Sequence, residues 1–294
     1  MEQTTERYFG ATKQELTTDL DQIVEETIKS NGAIRTRRED IAEFGWVTKD
    51  NNPAHKIPRI GRTLGFEDTP FMGAHVAAYA EKYAIDLISK IKQKPWASEL
   101  KIISQGTSFK SALYPDEELN WQVTGYRLTK KDNDQLVLSL EGNTKRKDQQ
   151  VKIAEVDITI SHKYNGLPEI AIPIFWRKFP VKEEHLNVFY SCTGHKSAET
   201  FPHSLTAAYA PAAQLLLLEE KTGDMVGANL SMDFQVISPA ELGPMMKVDI
   251  FRPSRPPSKR GNNYLYKLKT LCSQDDKMRM FGEMLVSTPY NLEF

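Results

Sequence analysis

Pro70-Phe71-Met72-Gly73-Ala74-His75-Val76-Ala77-Ala78-Tyr79-Ala80 is the stretch on which the architecture turns, because it comes back later in the chain. Phe71, Ala77, Ala78, Tyr79 and Ala80 return as Phe201, Ala207, Ala208, Tyr209 and Ala210, each 130 positions on. Around the first copy, Thr69 can cap a helix reaching Ile91 and Pro70 suits its first turn, while Ala74, Ala77, Ala78, Ile85 and Ile88 give it a small apolar face that lets a sheet approach closely. From Leu100 to about Ser161 the texture changes to β-branched or alternating runs such as Trp121-Gln122-Val123-Thr124, Leu136-Val137-Leu138-Ser139-Leu140 and Val156-Asp157-Ile158-Thr159-Ile160. Phe109 and Pro115 find counterparts in Phe234 and Pro239, at offsets of 125 and 124. Helix followed by antiparallel strands thus occurs twice, as expected of a duplicated unit too open to close its own core. The smallest arrangement that fits is two curved sheets, each wrapped on a long helix and joined edge to edge, an α+β fold.

Working outward, 294 residues exceed one ordinary domain, and 40% hydrophobic with 26% charged residues describes a globular chain rather than a disordered or fibrous one. A net charge of -1 removes any global drive toward nucleic acid or anionic membrane, and neither partner is expected. Cys192 and Cys272 are too few for a disulfide framework or a cysteine-rich metal site, so no metal is expected. Residues 1–10 contain Glu2 and Glu6 and lack the apolar core of a secretory signal, and Leu205 to Leu218 falls short of bilayer length, which together point to a cytoplasmic protein. Near the start, Thr12 and Glu15 form a capping box before Leu16, Leu20, Ile23, Val24 and Ile28 at helical spacing, with Gly32 as a stop. Asn165-Gly166-Leu167-Pro168, with Pro173 and Pro180, reads as a linker that still packs through Ile172, Ile174, Phe175 and Trp176. The units are accordingly placed at 1–170 and 171–294.

The duplication breaks at one place. Phe44-Gly45-Trp46-Val47-Thr48 resembles Phe189-Tyr190-Ser191-Cys192-Thr193 at an offset of 145, so the first copy holds about fifteen extra residues before its helix. That excess carries Asp50, Asn51, Asn52, Pro53, Ala54 and His55. Pro53 forbids a normal helix and biases Asn52 to extended backbone, which favours a compact loop able to aim a carboxylate and an imidazole at one point. The two groups about 3 Å from one water can orient it and move its proton, the requirement of hydration or dehydration. Spacing alone also allows Asp50 to cap a helix and His55 to be a surface histidine.

Phe44-Gly45-Trp46-Val47-Thr48-Lys49-Asp50-Asn51-Asn52-Pro53-Ala54-His55, then Gly65-Phe66 and Pro70-Phe71-Met72-Gly73, resembles the MaoC-like hydratase and dehydratase family, the (R)-specific enoyl-CoA hydratases. The shared core is D-x-N-P-x-H ahead of a small-residue helix. The agreement spans roughly residues 40 to 125, with a fainter match from about 189 to 290. The resemblance implies a double hot-dog fold, two long central helices wrapped by antiparallel sheets. It implies reversible hydration of a trans-2-enoyl thioester to an (R)-3-hydroxyacyl thioester, with the acyl group on coenzyme A or an acyl carrier protein and no cofactor. On this reading Asp50 and His55 are catalytic, and the backbone N–H of Gly73 polarises the thioester carbonyl at the positive end of a helix. Three positions depart from the pattern: Met72 stands in place of a histidine, Lys49 in place of a glycine, and Lys56 in place of a small or acidic residue. The second copy reads Thr193-Gly194-His195 without any N-P-x-H sequel, so walls rather than chemistry are expected from it.

Thr48 and Asn52 flank the proposed centre as substrate-binding candidates, and Trp46, Phe71 and Met72 are candidates for an acyl pocket, with ordinary core packing as the alternative for these three. Lys56 and Arg59 could meet the phosphates of a pantetheine-bearing substrate, with a solvated basic loop as the alternative. A hot-dog thioesterase and an inactive thioester-binding module are the rival functions, and a homodimer or a pseudo-dimeric monomer is the expected assembly.

Overall fold

The computed structural model describes residues 6–30, 32–130, 133–169, 171–195 and 201–294, without the side chains of 28–30. Residues 1–5, the side chain of Ile28 and the proposed boundary at residue 170 lie outside that description. A small ribbon of β1 (Arg7–Tyr8) and β2 (Ala11–Thr12) leads into α1 (Lys13–Ser30). The capping box forms: the Thr12 N–H donates to Glu15 Oε2 at 2.8 Å and the Glu15 N–H to Thr12 Oγ1 at 3.3 Å. The helix buries Leu16, Leu20 and Ile23 against the long helix described below.

The first copy continues with β3 (Ile34–Arg35), α2 (Arg38–Thr48), α3 (Pro58–Thr63) and the central helix α4 (Gly73–Ile91). Then come β4 (Lys101–Phe109), β5 (Glu118–Lys130), β6 (Asp134–Arg146) and β7 (Gln149–Ser161). The second copy runs β8 (Pro173–Phe179), α5 (Glu183–Thr193), central helix α6 (His203–Thr222) and β9 (Ala228–Val236). It closes with β10 (Met246–Phe251), β11 (Ser258–Arg260), β12 (Asn263–Gln274) and β13 (Lys277–Thr288).

Strand order is β3-β5-β6-β7-β4-β9-β13-β12-β10-β8, with β11 paired to β12, and the pairs are antiparallel. Read from the centre outward the two halves repeat the same plan, and they meet where β4 pairs β9 with Gly106 opposite Asp233. A Cβ on Gly106 would stand 2.6 Å from Asp233 Oδ1, so a larger residue there would make that side chain shift. The central helices pack on each other and α2 packs on α5, as the duplication requires. Both copies end their shorter helix alike: Thr48 Oγ1 donates to Phe44 O at 2.8 Å and Thr193 Oγ1 to Phe189 O at 2.6 Å, followed by left-handed Lys49 and Gly194. This is the double hot-dog fold.

Two expectations need correction. The helix expected from Thr69 begins at Gly73, because the Phe71 N–H donates to Leu113 O at 2.8 Å and holds the preceding residues extended. The expected linker contains β8, an edge strand of the second sheet; its alternation turns Phe175 inward and leaves Ile174 and Trp176 exposed, with Ile172 ahead of it 88% exposed. Among the described residues no helix is long and apolar enough to cross a membrane.

Candidate active site

The loop after α2 is built by its own short polar side chains. Beyond left-handed Lys49, the Asp50 N–H lies 3.4 Å from Thr48 Oγ1, and Asp50 is buried. Its Oδ1 accepts the Asn52 N–H at 3.0 Å, and Asn52 Oδ1 accepts the Ala54 N–H at 3.1 Å, capping the single turn at Pro53–His55. Asn52 Nδ2 donates to Gly227 O at 2.8 Å, which ties the loop to the chain just ahead of β9 in the other copy. His55 Nδ1 lies 2.8 Å from Pro70 O. A carbonyl oxygen only accepts, so Nδ1 carries the proton and Nε2 of the neutral ring is left with a lone pair.

Asp50, Asn52, His55, Phe71 and Gly73 line one cavity of about 180 Å³. Its far side comes from the second copy: Pro211 and Leu215 of α6, and Gly227, Ala228, Asn229 and Leu230 around the start of β9. The first turn of α4 opens here. His75 and Val76 donate to Met72 O at 3.0 and 3.1 Å, while Gly73 and Ala74, which also line the cavity, sit at helix positions whose N–H groups have no acceptor within the helix. A Cβ on Gly73 would meet the Phe109 ring at 2.8 Å, so the glycine also lets that ring close over the helix end.

Five candidates fall outside this cavity. Thr48 is buried and spends its hydroxyl on ending α2. Trp46 is 47% exposed, with Lys49 Nζ 4.8 Å above its ring and His185 edge-on to it. Met72 is buried against Gly45 beneath α2, because the extended segment before α4 turns it away from the cavity. Lys56 is exposed and donates to Asn51 Oδ1, and Arg59 is exposed on α3.

The sequence reading missed the residues that differentiate the second copy. The pair matching Gly73 and Ala74 is His203 and Ser204, and both of their N–H groups donate to the buried Glu81 carboxylate of α4, at 2.9 Å each, joined by the Ser204 hydroxyl. His195 Nε2 stands 3.6 Å from Glu81 Oε2. Burial alone would raise the Glu81 pKa, but His195, His203 and Ser204 outweigh it and hold the carboxyl at about 2. The space at this helix end is only about 20 Å³. His75 was also missed: it is wholly buried, stacks 4.2 Å from Phe44, and its Nε2 lies 3.0 Å from Cys192 O, with burial pushing its pKa down to about 3. No signal in the sequence announces these roles, since each depends on which helix faces which. Among the described residues no group of three or more His, Cys, Asp or Glu side chains could hold a metal ion.

No family model and no curated protein matches the chain. Solved structures do. A putative MaoC domain protein dehydratase from Chloroflexus aurantiacus is similar at a TM-score of 0.64 and 10% identity, over 88% of this chain and 93% of that one. A protein described as a MaoC-like dehydratase gives 0.59 and 9%, over 87% and 95%. A Mycobacterium tuberculosis protein with a double hotdog fold gives 0.58 and 10%, over 90% and 94%. Across nearly its whole length, then, the chain carries the double hot-dog fold of proteins described as MaoC-like dehydratases.

Proposed function

We propose that the protein is a hydro-lyase that reversibly hydrates a trans-2-enoyl thioester to the (R)-3-hydroxyacyl thioester, with the acyl group carried on coenzyme A or an acyl carrier protein. The observation that carries this reading is that Asp50, His55 and the first two residues of α4, Gly73 and Ala74, whose N–H groups have no acceptor within the helix, line one cavity. Asp50 and His55 hold a water between the carboxylate and Nε2. The water oxygen bonds to C3, the alkene pair moves through C2 onto the thioester oxygen, and the proton taken from water is returned to C2. The developing enolate oxygen is stabilised by the Gly73 N–H at the positive end of the helix. The reaction is redox-neutral and calls on no cofactor. Residues 1–170 hold the chemistry in this scheme, and 171–294 supply the opposite wall.

Purified protein mixed with crotonyl-CoA or a longer enoyl-CoA is expected to bleach the conjugated thioester absorbance. Asp50→Asn and His55→Ala are each expected to slow that loss by roughly 10²–10⁴-fold. Wild-type rates in both variants would overturn the mechanism, and release of free thiol in place of hydration would make the protein a thioesterase.

A further inference from the structure

The walls of the cavity are mostly apolar, yet amide atoms with no protein partner lie in and just behind one of them. Asn229 of β9 lines the cavity, and its buried Oδ1 has no hydrogen-bond partner among the described residues. Gln214 of α6 is wholly buried, and both its Oε1 and its Nε2 lack partners as well. Gln214 is not in the cavity lining but stands behind it at Gly227: a Cβ on that residue would stand 3.3 Å from Gln214 Nε2, and Gly227 itself lines the cavity. Gly227 also accepts from Asn52, so this polar wall is fixed to the loop that holds Asp50 and His55. Buried amides without partners are destabilising, and such groups in an otherwise apolar pocket are how a site selects and orients a ligand. An amide presents a donor and an acceptor together, which a hydroxyl answers with its own acceptor and donor. Val76, Leu215 and Leu230 in the same lining suit hydrocarbon.

Resting on the lyase reading above, we propose that the acyl substrate bears a hydroxyl group beyond the reacting carbons, and that Asn229, with Gln214 behind it, is the specificity-determining contact, contributed by the copy that has no catalytic motif. A plain alkyl chain reaching this wall leaves the amides unpaired and binds less well. Sites built to hydrogen-bond a substrate hydroxyl discriminate strongly against analogues that lack it.

The test compares trans-2-hexenoyl-CoA with its 5-hydroxy and 6-hydroxy counterparts. The wild type is expected to favour at least one hydroxylated substrate by roughly tenfold or more in kcat/KM. Asn229→Leu and Gln214→Leu are expected to shrink that ratio below about twofold through a fall in kcat/KM for the hydroxylated substrate, while the thermal midpoint is held or raised by removal of unpaired amides. Equal kcat/KM for all three substrates, or an unchanged ratio in both variants, overturns the proposal. Calorimetric binding of hexanoyl-CoA and its 5-hydroxy and 6-hydroxy analogues separates the two readings. A hydroxyl preference that vanishes in Asn229→Leu without any turnover sinks the lyase and leaves this inference standing, whereas turnover without preference does the reverse.

Discussion

The amino ends of the two central helices start from the same sequence pattern and finish in opposite states. At α4 the first N–H groups, on Gly73 and Ala74, face a cavity shared with Asp50 and His55. At α6 the matching groups, on His203 and Ser204, are bound by Glu81, a carboxylate supplied by the other central helix. A helix end needs an acceptor, and at α6 the fold provides one internally. The same difference runs through the neighbouring loops. Thr48 and Thr193 end their helices alike, but one chain goes on to Asp50 in the cavity wall and the other to His195, whose Nδ1 lies 2.8 Å from Thr193 Oγ1 while its Nε2 faces Glu81. Duplication gave two equivalent helix ends, and the inserted loop went to only one of them.

Glu81→Gln attacks the closed end and carries the largest expected effect on stability, a loss of about 2–3 kcal/mol, since the amide keeps only one oxygen for the two buried N–H groups of His203 and Ser204. Chemical denaturation measures it, and an unchanged midpoint would mean that the closed end is not a support. The pH dependence follows from the same carboxyl. Its pKa is about 2 in the folded protein, below the ordinary value of 4.5, so the stabilisation is present above 4.5 and is lost as pH falls from there toward 2. The wild type is therefore expected to lose stability across that window, and Glu81→Gln to lose less.

Asn52→Ala attacks the open end. It removes the donor to Gly227 O and the cap on Ala54, and is expected to cost about 1–2 kcal/mol in stability. On the proposed function, hydration of enoyl-CoA should fall more than stability does, because the same side chain registers the Asp50–His55 loop against the opposite wall; a variant as active as wild type would separate the tie from the site. The smallest effects are expected at Lys56 and Arg59. Both are exposed and outside the cavity, so Lys56→Ala and Arg59→Ala should stay within about 0.5 kcal/mol in stability. Their KM for a coenzyme A thioester should move less than twofold, and a large rise would place the phosphates of the carrier on this loop.

The duplicated plan is legible in the sequence, because small-residue helices and alternating strands are local patterns that repeat at a fixed offset. So is the loop at Asp50 to His55, since proline and asparagine bend the chain through contacts within a few residues. The sequence located Gly73 but misplaced the start of its helix by three residues, because the Phe71 to Leu113 hydrogen bond that delays it spans 42 positions. The edge strand within the expected linker escaped for the same reason: prolines there signal interruption, while pairing to β10 supplies the strand. Long-range packing sets the rest: Trp46, Met72, Lys56 and Arg59 turn away from the cavity, Glu81 closes the second helix end, and Asn229 stands at the far wall with Gln214 behind it. Those outcomes depend on contacts between residues far apart in the chain, and such contacts leave no periodicity to read.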